Sequence, residues 1–319
     1  MAQRDGHGQT AISETPMAEV SDADPMELTR ILQILSAGLI IGGIYALIAV
    51  GLNLIYGTMR LLNIAHGELI MLGAYVTYWL YTLYGVSPLI SMILVSAFSA
   101  LIGLIVCWSI FLPIIKTSKS AAVLESNSLL IFFGLSVIFS NLASLLWTAD
   151  IRGYSYMTKV FYILGVPLMH NRLLAFLVAV VVCILSYLLL QKTMLGKAIR
   201  ALIQDREASQ LVGINARFIY IFSFCLGFAM AGLAGCLLSM FYEITPFMGL
   251  PYTIVAFIVI VLGGLGNIFG SLMGGFLLGL LETIGVSLTS PGLRPILSYS
   301  IFILIILVRP KGIFGRGVY

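Results

Sequence analysis

The segment LLNIAHGELIML, residues 61–72, places three polar side chains, Asn63, His66 and Glu68, among aliphatic residues. In lipid each of these groups costs free energy unless another group satisfies it, so an ionisable residue at membrane depth is by default functional. The segment also contains Gly67, which favours a break in a helix. Such a break is tolerated in a membrane only where the freed backbone groups face protein or a water-filled path.

The composition places the whole chain in a membrane. Hydrophobic residues make up 60% of the 319 residues, charged residues make up 9%, and the mean hydropathy is +1.08. A soluble fold of this size could not cover its surface with so few polar residues. The apolar runs are long and continuous and do not alternate, which indicates helices and excludes a barrel of strands. We therefore predict an all-α, polytopic helical membrane protein.

The apolar runs divide the chain into about nine spans, since a bilayer core of about 30 Å needs roughly 20 apolar residues per helix. Residues 1–27 are polar and acidic and lack the apolar core of a signal peptide, so we expect a disordered tail. Residues 28–319 form the membrane domain. The predicted spans are 32–56, 69–81, 89–115, 129–147, 173–190, 218–241, 252–262, 272–286 and 296–308.

The basic residues indicate how the spans are oriented. Lysines and arginines concentrate in the connections 116–126 and 191–217 and at the C-terminus, where Arg309, Lys311 and Arg316 lie. Cytoplasmic connections carry an excess of Lys and Arg, so we place these three segments and the C-terminus in the cytoplasm. An odd number of spans would then put the N-terminal tail outside.

A second glycine-rich segment is similar to the first. NIFGSLMGG, residues 267–275, matches NIAHGELIMLG, residues 63–73, if two residues are skipped. Glycine-interrupted segments at corresponding positions of two halves indicate the pathway of a transporter. We predict two related halves whose second spans break near Gly67 and Gly270. The alternative is chance similarity, because glycine is common in membrane helices.

Five polar residues are candidates for lining a translocation pathway: Asn53, Asn63, His66, Glu68 and Asn267. For Asn63 and His66, hydrogen bonding to the backbone opened near Gly67 is a structural alternative. For Glu68, the alternative is a helix-start contact with a backbone N–H group or an ion pair with Arg60. Glu243 and Glu282 lie near the ends of spans, where we expect hydrated interfacial positions.

The longest cytoplasmic connection, residues 193–213, has an amphipathic pattern. Leu195, Ala198, Ile199, Leu202 and Ile203 recur at helical spacing, charged and amide residues take the other side, and Gly213 ends the helix. The pattern predicts a short helix on the inner face of the membrane. From physics alone it could rest on lipid headgroups or dock on a partner protein.

The motifs of an enzyme are missing from the sequence. There is no G-x-x-x-x-G-K-[ST] loop, so the chain cannot hydrolyse ATP itself. His66 and Glu68 do not form the H-E-x-x-H pattern of a zinc site, and no G-x-S-x-G elbow is present. The four cysteines lie in apolar runs without C-x-x-C spacing. We expect no catalytic residue, no metal, no cofactor in this chain and no nucleic-acid partner.

Four segments together resemble the permease subunits of bacterial ABC importers for branched-chain amino acids. They are residues 42–75, the loop LGKAIRALIQDREASQLVGIN at residues 195–215, VLGGLGNIFGSLMGGFLLGLLE at residues 261–282, and VRPKGIFGR at residues 308–316. The resemblance implies an inner-membrane permease that pairs with a second, similar permease. It also implies two cytoplasmic ATPase subunits and a periplasmic substrate-binding protein as partners.

The resemblance further implies that the loop 193–213 couples the permease to the ATPases. Leu195, Leu202 or Leu211 would fill apolar contacts on a helix from Ala198 to Leu211, and Asp205, Arg206 and Glu207 would set its orientation, with Gly196 and Gly213 at its ends. The substrate could be a branched-chain amino acid or, as for similar permeases, another amino acid, urea, a short amide or a small organic acid. An ion-coupled secondary transporter or a channel would explain the polar spans, but it would have no use for this loop.

Overall fold

The computed structural model describes residues 25–117, 120–163, 165–309 and 312–313, and these residues are predominantly helical. The predicted tail 1–27 lies almost wholly outside the described residues, and α1 already begins at Pro25. In chain order the helices are α1 (Pro25–Met59), α2 (His66–Tyr84), α3 (Pro88–Val106), α4 (Leu112–Thr117), α5 (Ala121–Trp147), α6 (His170–Lys192), α7 (Met194–Gln204), α8 (Arg206–Leu211), α9 (Ala216–Ser239), α10 (Gly249–Gly263), α11 (Ile268–Leu288) and α12 (Arg294–Val308).

Seven helical segments among the described residues are long and apolar enough to cross a membrane. They are Glu27–Met59, Pro88–Ile115, Val123–Trp147, His170–Lys192, Ala216–Ser239, Ile268–Leu288 and Pro291–Val308. Each of the nine predicted runs overlaps a helix, but α2 and α10 are outside this set of seven. The 15 residues of α10 span only about 22 Å, and α2 begins with His66 and Glu68. The protein is a polytopic helical membrane protein, and the count of nine spans is not confirmed.

The segment Pro88–Ile115 is one long helix that widens near its C-terminal end. A π-helical turn, Cys107–Phe111, joins α3 to α4. Pro113 explains the widening, because it has no N–H group and its ring would clash with the carbonyl of Ser109 in a regular α-helix.

One connection contains strands, which the all-α prediction missed. Strand β1 (Val160–Ile163) pairs antiparallel with β2 (Val166–Met169), with Ile163 opposite Val166. Gly165, immediately before β2, has a φ of +81°, as glycine allows in a tight turn. A further backbone bridge joins Arg152 to Ile244, so the connection before α6 is held against the connection before α10.

The core is built around α1, whose central turns are almost completely buried. Its closest partner is α11, and the two helices approach through Gly38 and Gly42 on α1 and Gly275 and Gly279 on α11. A Cβ atom on Gly279 would collide with the backbone of Gly42. Paired small-xxx-small motifs allow this close backbone approach between membrane helices.

The contacts define two ends of the helix bundle. At one end, Gly57 lies near Ile203 of α7 and near Gly266, and the backbone N–H of Ile313 donates to Leu262 at the end of α10. The C-terminal segment and α7 therefore share an end. Gly165 of the strand turn lies near Thr29 at the start of α1, at the opposite end.

The helix breaks fall slightly before the positions predicted from glycine. The first break spans residues 60–65, between α1 and α2, and the second spans residues 264–267, between α10 and α11. Gly67 and Gly270 lie inside the first turns of α2 and α11. Both positions require glycine. A Cβ on Gly67 would collide with the carbonyl oxygen of Gly249, and a Cβ on Gly270 would collide with the carbonyl oxygen of Gly263. These two glycines serve close packing, while the chain turns in the preceding residues.

Candidate functional site: two helix breaks and a surface helix

The first break is closed by a hydroxyl group from α10. Thr253 Oγ1 accepts a hydrogen bond from the N–H of Gly67 at 2.8 Å and donates to the carbonyl of Ile64 at 2.9 Å. At the start of the break Arg60 adopts a φ of +54°. Thr253 itself is 1% exposed. One buried side chain thus satisfies both a donor and an acceptor that the interrupted helix leaves open.

The second break is held by Asn53 on α1. Its Oδ1 accepts from the N–H of Gly266 at 2.7 Å, and its Nδ2 donates to the carbonyl of Asn267 at 3.0 Å and to Ser271 Oγ at 2.6 Å. Asn267 begins α11, where its Oδ1 accepts from the N–H of Gly270 at 3.0 Å. The structure therefore brings together two of the five predicted pathway residues, Asn53 and Asn267.

The other polar residues of the first break are completely buried. His66 Nε2 lies 3.2 Å from the carbonyl of Ile48 on α1, so this nitrogen carries the proton and donates. Within the described part of the chain, His66 Nδ1 and both polar atoms of the Asn63 side chain have no hydrogen-bond partner. The ring of Phe228 meets the imidazole edge-to-face, with the centroids 6.4 Å apart. Asn63 and His66 thus hold unused hydrogen-bonding capacity in the centre of the protein.

Glu68 points away from the break towards α5 and α10. Its Oε1 accepts from Ser136 Oγ at 2.9 Å, whereas Oε2 has no partner among the described residues. The carboxylate lies beside Gly249, the first residue of α10, where the positive end of the helix dipole favours a negative charge. The contact that the structure gives Glu68 is therefore Ser136, and the alternative partner, Arg60, is exposed.

Glu282 is not at a hydrated interface, in contrast to the prediction. It is 1% exposed and accepts from Tyr45 at 3.0 Å and from Ser298 at 2.6 Å. Arg294 Nε lies 3.3 Å from Glu282 Oε1, and Arg294 Nη1 donates to the hydroxyl of Tyr242 at 3.3 Å. The prediction failed because the sequence does not show that α1, which supplies Tyr45, and α12, which supplies Ser298 and Arg294, enclose the carboxylate. Glu243, by contrast, is exposed as expected.

The amphipathic connection forms two helices, where one helix from Ala198 to Leu211 was predicted. Asp205 is extended, with φ −149° and ψ 113°, and separates α7 from α8. Its Oδ1 accepts from the N–H groups of Glu207 at 2.9 Å and Ala208 at 3.0 Å. Aspartate is a strong N-cap residue, so it starts a new helix where the apolar periodicity alone suggests continuity.

The apolar side of α7 packs against the protein's own helices. Gly196, Ile199 and Leu202 are buried, and Arg200 donates to the carbonyl of Leu190 at the end of α6. A Cβ on Gly196 would collide with that same carbonyl. Of the three leucines predicted to meet a partner, Leu202 is 4% exposed and Leu195 is partly buried. Leu202 therefore anchors α7 to this chain and does not present an apolar contact to another protein.

The outer side of α7 and α8 exposes a different set of residues. Leu211 is 88% exposed and Val212 is 77% exposed, and Gly213 follows with a φ of +85°. Glu207 is exposed, whereas the guanidinium of Arg206 lies over the buried ring of Tyr220, 5.5 Å from its centroid. Ala198 is partly buried. We call Leu211 and Val212 the outer apolar surface.

The sequence pattern could not identify several residues of these sites. Several contacts described above are carried by Thr253, Ser136, Ser271 and Tyr45, each an ordinary residue for a membrane helix. Their importance appears only when distant helices are brought together. Among the described residues, no group of three or more His, Cys, Asp or Glu side chains could hold a metal ion.

The fold and these sites define a class of multi-pass membrane protein in which two interrupted helices lie at the core and a helix pair lies on one face. Residues 34–308 match the family model of the permease component of branched-chain amino acid transport systems. The chain belongs to this family. Its position in the family identifies it as a permease subunit in the inner membrane, a transport component and not an enzyme.

Curated relatives match the chain over nearly its whole length. The high-affinity branched-chain amino acid transport system permease protein BraD of Pseudomonas aeruginosa is 32% identical, covering 91% of this chain and 97% of the relative. LivH of Escherichia coli K12, a permease protein of the same description, is 30% identical over 89% of this chain and 96% of its own. A probable branched-chain amino acid transport permease protein LivH of Methanocaldococcus jannaschii is 32% identical, covering 88% of this chain and 92% of the relative. No solved structure matches.

Proposed function

We propose that this chain forms the translocation pathway of an ATP-driven importer for branched-chain or related amino acids. The match to the family over residues 34–308 carries this proposal. The permease pairs with a second, homologous permease subunit, rests on two cytoplasmic ATPase subunits, and receives substrate from a periplasmic binding protein. ATP hydrolysis takes place in the partners.

The proposed pathway runs along the two helix breaks. Asn63 and His66 support this assignment, because their unused hydrogen-bonding atoms are buried where a substrate or water could satisfy them. Asn53, Asn267 and Glu68 hold the neighbouring helices in place. A buried route implies that it opens only when the subunits move, as alternating access requires.

Topology follows from the same proposal. We place α2 and α10 as the two further crossings that complete nine spans, with the breaks at corresponding positions of two related halves. The C-terminus and the α7–α8 helix pair then lie in the cytoplasm, supported by their shared end of the bundle and by the basic residues there. A reporter fused after Arg316 should report the cytoplasm, and a periplasmic signal would contradict this orientation.

The outer apolar surface is the proposed contact with an ATPase subunit. Leu211 and Val212 expose apolar area that water does not favour, while the buried residues Ile199 and Leu202 attach α7 rigidly to the permease. Gly196 and Asp205 fix the geometry of the helix pair, and Arg206 ties α8 to α9 through Tyr220. Closure of the ATPases would move the permease through this attachment.

Uptake by the reconstituted importer tests the function. Proteoliposomes that contain the permease pair and the ATPases, with ATP inside and binding protein outside, should accumulate labelled leucine, isoleucine or valine. Urea, acetamide and acetate serve as competing substrates for the alternative chemistries. Accumulation that needs an ion gradient and no ATP would contradict the proposal and favour a secondary transporter.

A further inference from the structure

The outward face of α5 differs from the outward faces of the other peripheral spans. Its buried side packs against the rest of the protein through Phe132, Ser136 and Ala143. The opposite side carries a regular stripe, which we call the amide stripe. Its members are Asn127, Leu130, Gly134, Ile138, Asn141 and Leu145.

The members of the amide stripe lie on one face of α5 and are evenly spaced along its length. Asn127, Gly134 and Asn141 follow at intervals of seven residues, which returns to nearly the same side of a helix every two turns. Gly134 is the midpoint of α5, Ala121–Trp147. The two asparagines therefore lie roughly 10 Å above and below the midpoint, inside a hydrocarbon core that extends about 15 Å to each side.

Lipid is a poor environment for these asparagines. An amide side chain has two donors and an acceptor oxygen. Asn141 directs Nδ2 to the carbonyl of Val137 at 2.7 Å, which uses only part of this capacity. Exposed serines of the peripheral spans do not have this unused capacity to donate. Ser109 and Ser300 each donate their single hydroxyl hydrogen to a carbonyl of their own helix. Amides in membrane helices therefore favour a neighbouring helix that can complete their hydrogen bonds.

Two other peripheral spans have aliphatic outward faces. The outward face of α3 carries Ile90, Ile93, Leu101 and Ile105, and that of α6 carries Leu177, Val181, Ile184, Leu185 and Leu188. A water-filled channel would need polar groups on several helices, so amides on the outward face of one helix fit contact with a second helix.

We propose that the amide stripe of α5 is the contact with the second permease subunit, an inference that rests on the proposed function. Two similar subunits related by an axis along the membrane normal bring equivalent helices together, parallel and at equal depth. Asparagine is complementary to itself, because its donor and acceptor can face those of a second amide. At Gly134 a Cβ would meet nothing, so the midpoint is open for a close crossing.

Photo-crosslinking of the complete importer in membranes tests this contact. A benzophenone amino acid in place of Ile138 should give an adduct that mass spectrometry identifies as two permease subunits. The matched control is Val181 on α6, which has a similar exposure of 53% against 58% for Ile138 and should give only lipid adducts. Lipid adducts alone at Ile138, or an adduct with the binding protein or an ATPase, would overturn the proposal.

Removal of the amides gives a second readout. Asn127→Leu and Asn141→Leu should each reduce the yield of the permease adduct by about threefold, the typical effect of one hydrogen bond between membrane helices. An unchanged yield would overturn the role of the stripe. ATPase copurification and ATP-dependent uptake are measured on the same preparations. If both persist while Ile138 gives no permease adduct, this contact is wrong and the proposed function stands; if both are lost in the unmodified protein, the proposed function fails.

Discussion

Asn53 on α1 accepts a hydrogen bond from the backbone N–H of Gly266 at 2.7 Å, which joins α1 to the break between α10 and α11. The same amide donates to the carbonyl of Asn267 and to Ser271. One side chain thus replaces hydrogen bonds that the interrupted helix lacks. Since α1 also leads directly into the first break, it connects both irregular segments mechanically.

Asn53→Leu should destabilise the protein, because it leaves the N–H of Gly266 without its acceptor and removes the donor that Asn53 gives to the carbonyl of Asn267 and to Ser271. Each unsatisfied group costs about 1–3 kcal/mol. Thermal unfolding of the purified permease in detergent should show a clearly lower midpoint. Gln33→Leu on the exposed side of the same helix is the control and should have little effect. Equal midpoints for both variants would show that Asn53 does not hold the second break.

Thr253 offers a test in which the shape of the side chain is kept. Thr253→Val removes the hydroxyl that accepts from Gly67 and donates to Ile64, while Thr253→Ser retains it. We expect Thr253→Val to lower the free energy of unfolding by about 1–3 kcal/mol and to reduce transport. Thr253→Ser should keep nearly the stability and transport of the original protein. If Ser were as harmful as Val, the methyl group and not the hydroxyl would be responsible.

The sequence predicted the helix breaks because an asparagine stands close to glycines within an apolar stretch in both segments. It misplaced the turns by a few residues, since glycine serves two purposes in this protein. Gly67 and Gly270 permit close contact with the carbonyls of Gly249 and Gly263. A requirement for small size in tertiary packing cannot be distinguished in sequence from a requirement for a flexible backbone.

Glu282 and Glu243 should respond differently to substitution, although both lie near span ends in the sequence. Glu282→Ala removes the acceptor of Tyr45 and Ser298 and the partner of Arg294, so we expect a loss of about 3 kcal/mol or more in stability. Glu243→Ala changes an exposed side chain and should have almost no effect. Chemical denaturation in mild detergent measures both, and a tolerated Glu282→Ala would contradict the buried network.

The coupling loop illustrates a second limit of sequence reasoning. Its apolar periodicity correctly predicted that one face of a helix is buried, but it could not say against which protein. Ile199 and Leu202 pack on this chain's own helices. The residues left for a partner, Leu211 and Val212, lie beyond the periodic segment on the short helix that Asp205 begins and just after it.

This distinction predicts opposite defects for two leucines of the same loop. Leu211→Asp should leave the permease folded and inserted, because the side chain is 88% exposed. Loss of an apolar anchor at an interface typically costs about 2 kcal/mol or roughly thirtyfold in affinity, so ATPase copurification and ATP-dependent uptake should fall sharply. Leu202→Asp instead places a charge where the side chain is 4% exposed, and it should lower the thermal stability of the isolated permease.

Gln210→Ala, an exposed neighbour on α8, is the control and should retain both coupling and stability. If Leu211→Asp kept full ATPase copurification and uptake, the outer apolar surface would not be the coupling contact, and α7 and α8 would be a membrane-surface pair.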